Sequence, residues 1–264
     1  MTAITNRVRE AWAGSRPALG VWLALPGLGG AQMCSDPGLD YACIDQQHGL
    51  IDYDGFLGML SGITARGVAP VTRVPDLSPA YIGKVLDAGA QGVIAPLVNT
   101  AEDAAAVVAA CRYPPDGIRS YGPIRSSISL GSRDPEELGA DALSIVMVET
   151  RQGVDNVEQI AATSGLDGIY IGPADLALGL GLPPALDKDE PEHVEAVARI
   201  RDACLQNGIA AGIQCGSGVA AARYVEEGFT FVTVTKDSAL LTGGVARELA
   251  AAQGHEDDVE VAYT

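Results

Sequence analysis

The 264-residue sequence predicts a (β/α)8 barrel. Three observations carry that expectation. Eight short apolar runs recur along the chain; amphipathic segments with helix-start and helix-stop signals alternate with them; and the runs are continuously apolar instead of alternating with polar residues. Continuous strands of this kind belong to a sheet covered on both faces, hence a parallel one. Eight of them in one chain of this length fit a closed barrel in a single domain. A doubly wound open sheet is the alternative. It usually has fewer strands and a glycine-rich phosphate turn after the first one, and PGLGG at 26–30 lacks the GxGxxG spacing.

In chain order, the strand runs are ALGVWLAL (18–25), YACID (41–45), APVTRV (69–74), GVIAPLV (92–98), LSIVMVET (143–150), LDGIYIG (166–172), GIAAGI (208–213) and FTFVTVT (229–235). Residues 54–66 carry an apolar helical face. The segment 78–88 opens on a capping serine followed by proline, as helix starts prefer. In 100–112, Glu102 and Asp103 occupy the first turn, where the helix dipole favours negative charge. The helices 192–207 and 217–227 each end at a glycine stop, Gly208 and Gly228. The segment 236–253 is the last helix, and the remainder from about 254 to 264 is a polar, acidic tail.

Composition narrows the function. A formal net charge of −17 suits neither a phosphate backbone nor an anionic membrane, so nucleic-acid and membrane partners are not expected. No run approaches the ~20 apolar residues of a membrane helix, and the first residues show no signal-peptide pattern, so a cytoplasmic setting is expected. Five cysteines without CxxC spacing argue for buried thiols and against disulfides or zinc. Of three histidines, His48 lies in an apolar-flanked, glycine-bordered segment, whereas His193 and His255 sit in acidic stretches expected to face solvent.

In a barrel, the loops after the strands build the active site. The strand exits here carry Asp45 and His48 (IDQQHG), Arg73 (TRVP), Glu149 (VETRQG) and Asp175 (IGPADLALGLG). Glu149 and Asp175 either cap helices or hold a hard divalent ion such as Mg²⁺ or Mn²⁺. Arg73 either pairs with Asp45 or Asp76, or directs its fork at a substrate oxyanion. His48 is either a backbone-bonded structural residue or a general base, with Asp45 available to orient it. Trp22 is packing or a pocket wall, and Gln46 and Gln47 are wall contacts or loop polarity. No lysine lies in the sixth strand, which disfavours a Schiff-base aldolase; Lys236, after the last strand, is a minor candidate.

These residues stand within an ordered series: GVWLAL, IDQQHG, TRVP, LDAGAQGVIAPLV, RYPPDGIRSYGP, VMVETRQGVDN and GLDGIYIGPADLALGLG. The series, which covers most of the chain, resembles the metal-dependent pyruvate aldolases of the HpcH/HpaI family. The resemblance implies a barrel whose last helix is exchanged between subunits of a dimer, and a homo-oligomer, a hexamer built as a trimer of dimers or a trimer. It implies that Glu149 and Asp175 bind the divalent metal (Mg²⁺ or Mn²⁺, with Co²⁺ a substitute) and that pyruvate chelates it. Backbone around Gly172, Pro173 and Ala174 then holds the substrate carboxylate, Arg73 faces the 2-oxo oxygen, and His48 supported by Asp45 acts as base. Trp22 and Gln214 complete the substrate pocket. Asp87 and Gln47 match positions that order water, Asp87 across a subunit boundary.

The implied reaction is reversible cleavage of a 4-hydroxy-2-oxo acid to pyruvate, or a close 2-oxo acid such as hydroxypyruvate, and an aldehyde. Two departures stand out: Gln47 replaces the usual acidic residue before the histidine, and Met147 replaces the usual glutamine before the metal glutamate. The rival expectations are a citrate-lyase-like lyase of acyl-CoA esters and a non-catalytic metabolite-binding barrel.

Overall fold

The computed structural model describes residues 6–254. Its eight strands form one closed, all-parallel barrel in sequence order. The first half runs α1 (Arg7–Ala13), β1 (Ala18–Leu23), α2 (Leu28–Cys34), β2 (Tyr41–Asp45), α3 (Tyr53–Thr64), β3 (Ala69–Arg73), α4 (Pro79–Asp87), β4 (Gly92–Ala95) and α5 (Ala101–Cys111). The second half runs α6 (Ser126–Ser129), α7 (Pro135–Asp141), β5 (Leu143–Met147), α8 (Arg151–Asp155), α9 (Val157–Ala161), β6 (Gly168–Ile171), α10 (Pro173–Gly179), α11 (Pro191–Asn207), β7 (Ala210–Gln214), α12 (Gly218–Glu226), β8 (Phe231–Lys236) and α13 (Asp237–Ala252).

The expected strands are present, most of them shorter than the apolar runs that announced them. The residues trimmed from the C-terminal ends of the first and third to sixth runs are the loops that line the barrel mouth. The helix signals hold: Ser78 accepts from the Tyr81 amide with Pro79 in the first turn, Thr100 and Asp103 form a reciprocal capping box, and Gly208 closes α11 at φ 67°. The glycine-rich segment after β1 is the start of α2. His255 and the tail beyond Gly254 lie outside the described residues.

The core has two parts. One lies between the strands and the outer helices. The other fills the barrel and stacks Tyr41, Phe231, Tyr170, Trp22 and Met147 above Val8 and Ala11 of α1. Gly20 is required here, because a Cβ on it would meet the Tyr41 ring at 2.4 Å. α1 therefore stoppers the N-terminal end of the barrel, with Trp12 Nε1 donating to the Thr230 carbonyl at 2.8 Å. The C-terminal end stays open, where the unusual residues fall.

Candidate active site

Register explains the first contact. Asp45 and Arg73 are cross-strand partners at the last rung of β2 and β3, so their side chains leave the barrel at one level. Arg73 donates through Nε to Asp45 Oδ1 at 2.9 Å and through Nη2 to Oδ2 at 2.6 Å. Trp22 donates its indole N–H to Asp45 Oδ2 at 3.1 Å, lies 5.1 Å beneath the Arg73 guanidinium and stacks on Tyr170. All three are buried. Burial alone would raise the Asp45 carboxyl, but the Arg73 bonds overcome it and hold it below its ordinary value.

Asp45 supports His48 differently from the expectation. Its Oδ1 accepts from the backbone amides of Gln47 and His48, at 3.1 and 3.2 Å, and bonds no imidazole nitrogen. The carboxylate shapes the turn that carries His48 and leaves the ring, at the cavity rim, unencumbered.

Glu149 and Asp175 come from adjacent strand exits. Glu149 lies two residues past β5, and Asp175 lies in the first turn of α10, which begins two residues past β6. The pairing Met147↔Tyr170, extended by two residues, sets Glu149 opposite Gly172. A Cβ on Gly172 would stand 3.0 Å from Glu149 Oε2 and 3.6 Å from Asp175 Oδ2, so the absent side chain leaves a cradle between two carboxylates. Glu149 is 3% exposed; its Oε1 accepts from the Leu97 amide at 2.9 Å, and its buried Oε2 has no hydrogen-bond partner. Burial raises the Glu149 carboxyl to about 7; the Leu97 N–H and Arg73 oppose that rise, and Asp175 adds to it. An unpartnered buried oxygen beside a second carboxylate fits a cation, which relieves both the orphaned acceptor and the like-charge repulsion. Among the described residues no cluster of three or more His, Cys, Asp or Glu side chains gathers, so a cation held at this point would have two carboxylates from the protein and its other ligand positions filled by water or substrate.

One cavity collects Trp22, Asp45, His48, Arg73, Gly172, Pro173, Ala174, Asp175 and Gln214 on its surface, with Glu149 just behind Gly172. Gln214 is held from below by Tyr170, whose hydroxyl donates to its Oε1 at 3.1 Å and also bonds Thr233. Two expected residues are elsewhere. Asp87 pairs with Arg119 at 2.8 Å and lines a separate surface groove with Tyr53, Lys84 and Arg125. Gln47 is outside the cavity lining. Within one chain neither residue lines this cavity.

Other residues come as additions or corrections. Met147, Tyr170, Leu186 and Lys236 also line the cavity. His193, expected in solvent, is 1% exposed, and its Nε2 lies 3.1 Å from the Pro173 carbonyl. Its acidic neighbours hid it, but the spacing of His193, Ala196, Val197, Ile200 and Cys204 is that of one buried helix face.

The family model for HpcH/HpaI aldolase/citrate lyase matches residues 19–243, from β1 into α13. The chain is 40% identical over 248 residues to a hydroxypyruvate/pyruvate aldolase of Rhizorhabdus wittichii, covering 94% of this chain and 99% of that protein. It is 37% identical over 257 residues to a 4-hydroxy-2-oxo-heptane-1,7-dioate aldolase of Salmonella typhimurium, covering 95% of each. The crystal structure of a HpcH/HpaI aldolase/citrate lyase family protein from Burkholderia cenocepacia superposes with a TM-score of 0.87 at 34% identity, covering 94% of this chain and all of that one. With barrel, strand exits and sequence all in agreement, the chain belongs to the HpcH/HpaI aldolase/citrate lyase family.

Proposed function

We propose that this cavity is the active site of a class II aldolase that reversibly cleaves a 4-hydroxy-2-oxo acid to an aldehyde and pyruvate, or a close 2-oxo acid such as hydroxypyruvate. One observation carries the reading: Glu149 and Asp175 flank the Gly172 cradle, one with an orphaned buried oxygen, behind a cavity wall that also holds Arg73. Those two carboxylates would hold a divalent cation, Mg²⁺ or Mn²⁺ by the hardness of the donors, with Co²⁺ a substitute. When bound, such an ion supplies Lewis-acid stabilisation of negative charge on the 2-oxo oxygen.

The chain's own residues do the rest. His48, at the rim with a free imidazole, takes the proton of the 4-hydroxyl. The electron pair of that O–H bond forms the aldehyde C=O, the C3–C4 bond breaks, and its pair moves through C3 to the 2-oxo oxygen. Arg73 faces that oxygen with the donors that Asp45 leaves unused; Asp45 and Trp22 fix the guanidinium in place, so no reorganisation is needed as charge develops. The first-turn amide of Ala174 receives the substrate carboxylate, and Trp22 and Gln214 wall the pocket. A proton then returns to C3 and His48 is restored.

The test is removal of the metal. After treatment with EDTA, turnover of pyruvate or hydroxypyruvate with an aldehyde disappears, and Mn²⁺ restores it; turnover that survives thorough chelation overturns the reading. Borohydride with pyruvate leaves the protein mass unchanged, whereas a covalent adduct points to a lysine Schiff base. Malyl-CoA is not cleaved.

A homo-oligomer completes the reading. α13 presents Leu240, Leu241, Val245 and Leu249 outward, and Ile118, Tyr121, Ile124 and Ile128 form a second exposed apolar group. Both suit a further copy of the chain, as a trimer or a trimer of dimers with α13 exchanged, and in that assembly Asp87 reaches a neighbour's site. The five cysteines are free thiols, in keeping with a reducing cytoplasm.

A further inference from the structure

We infer that His193 is a positioning residue for the substrate carboxylate, acting through the Pro173–Ala174 peptide. His193 is in the first turn of α11, away from the cavity lining, and has no role in the proton or metal chemistry described above. Its imidazole is buried, and Nε2 meets the Pro173 carbonyl at 3.1 Å. A carbonyl only accepts, so Nε2 carries the proton and donates.

The geometry of a peptide unit makes that bond matter. The Pro173 C=O and the Ala174 N–H belong to one planar group and point in opposite directions. Holding the carbonyl toward α11 aims the Ala174 N–H the other way, and Ala174 lines the cavity. Donation to the carbonyl also polarises the amide, which strengthens the bond its N–H makes to an anion. As a first-turn residue, Ala174 has no intrahelical acceptor to compete for that N–H. Proline in front of it offers no N–H, so the orientation of this one peptide sets the donor at that point of the wall.

The first turn of α11 braces α10 twice. Beside His193, Glu192 pairs with Arg151 at 2.7 Å, and Arg151 donates to the Leu180 carbonyl at the far end of α10. That second brace is half exposed and worth little, whereas the His193 bond is buried. The two contacts therefore make different predictions.

This inference rests on the Ala174 reading of the proposed function. The experiment compares His193→Leu, His193→Gln and Glu192→Ala in the full-length, Mn²⁺-loaded protein. Steady-state kinetics with pyruvate and an aldehyde is one readout, and calorimetric titration with pyruvate alone is the other. His193→Leu raises the KM and Kd for pyruvate about tenfold, with kcat within threefold of the parent, in line with loss of one buried hydrogen bond of about 1.4 kcal/mol. Glutamine places an amide nitrogen the same number of bonds from Cα as Nε2, so His193→Gln restores both values to within threefold. Glu192→Ala moves neither by more than twofold. The inference is overturned if His193→Leu binds pyruvate like the parent, if His193→Gln is as weak as His193→Leu, or if the loss falls on kcat alone. Should the parent bind pyruvate without turning over any aldehyde, the aldolase reading fails while the titration still decides the role of His193.

Discussion

Gly172 is where a single atom bears most directly on the proposed cation site. Its φ of −93° is open to any residue, so backbone strain does not explain the glycine. A methyl there would stand 3.0 Å from Glu149 Oε2 and from Met147 Cε, inside the space between the carboxylates. Gly172→Ala should therefore fold normally and lose at least a hundredfold in Mn²⁺ affinity, measured by titrating the metal-free protein; unaltered affinity would place the ion elsewhere. Arg73 makes a second residue-scale prediction. Lysine keeps the charge and loses the fork that grips both Asp45 oxygens, so Arg73→Lys should lower kcat by tenfold or more. Arg73→Ala should in addition destabilise the fold by about 3 kcal/mol, because Asp45 is then a buried charge without its partner. Equal unfolding midpoints for the two variants would contradict this account. Asp45, His48, Arg73, Glu149 and Asp175 were legible in the sequence because each is polar at the end of an apolar run, and barrel geometry gathers run ends at one mouth. The division of labour was less legible. That Asp45 bonds Arg73 and the backbone of His48, and leaves the imidazole free, depends on cross-strand register, which a single sequence does not display.

At the scale of elements, the strands announced themselves because both faces of each are covered, and α3, α4, α5, α11 and α12 because they carry capping signals or an apolar stripe; α13 was placed as the last helix after the final strand. The short helices α1, α2 and α6–α10 did not: with four to seven residues they complete at most two turns, too few for a period to show. α10 is the instructive case: Asp175 was a candidate helix cap, but the cap position is Gly172 and Asp175 lies within the first turn of the helix that carries Ala174. α7 ends on a residue with a measurable signature. Asp141 accepts from Gln91 Nε2 at 3.1 Å near the stoppered end of the barrel, and burial raises its carboxyl to about 6 from an ordinary value near 4. The folded state thus holds this proton more tightly than the unfolded chain. The stability it contributes is complete below about pH 4 and is lost as pH rises through about 6, by at most ~3 kcal/mol. Asp141→Asn should raise the denaturation midpoint at pH 7, and the gap from the parent should close below pH 4. A gap that persists in acid would assign the effect to packing.

For the whole molecule, charge is the dominant fact. The chain carries −17, yet its proposed substrate is an anion that must approach a mouth whose local cations are Arg73, Lys236 and the proposed metal ion. The long-range field opposes entry, and salt shortens its reach from about 30 Å at 0.01 M to about 8 Å at 0.15 M. Raising ionic strength over that range should increase kcat/KM for pyruvate and leave that for an uncharged aldehyde little changed; a decrease for pyruvate would mean that local attraction governs encounter. The apolar faces of α13 and of residues 118–128 call for light scattering at several concentrations. A trimer or hexamer is expected, and a monomer throughout would leave those faces unexplained.

The stopper at the barrel's base has a kinetic corollary. A vessel open at one end empties in the reverse of the order in which it fills. On the proposed reading the three-carbon fragment, seated by Ala174 and the carboxylates, would be trapped until the aldehyde has gone. Cleavage should therefore obey ordered release: pyruvate should inhibit competitively against the cleaved substrate, and the aldehyde non-competitively.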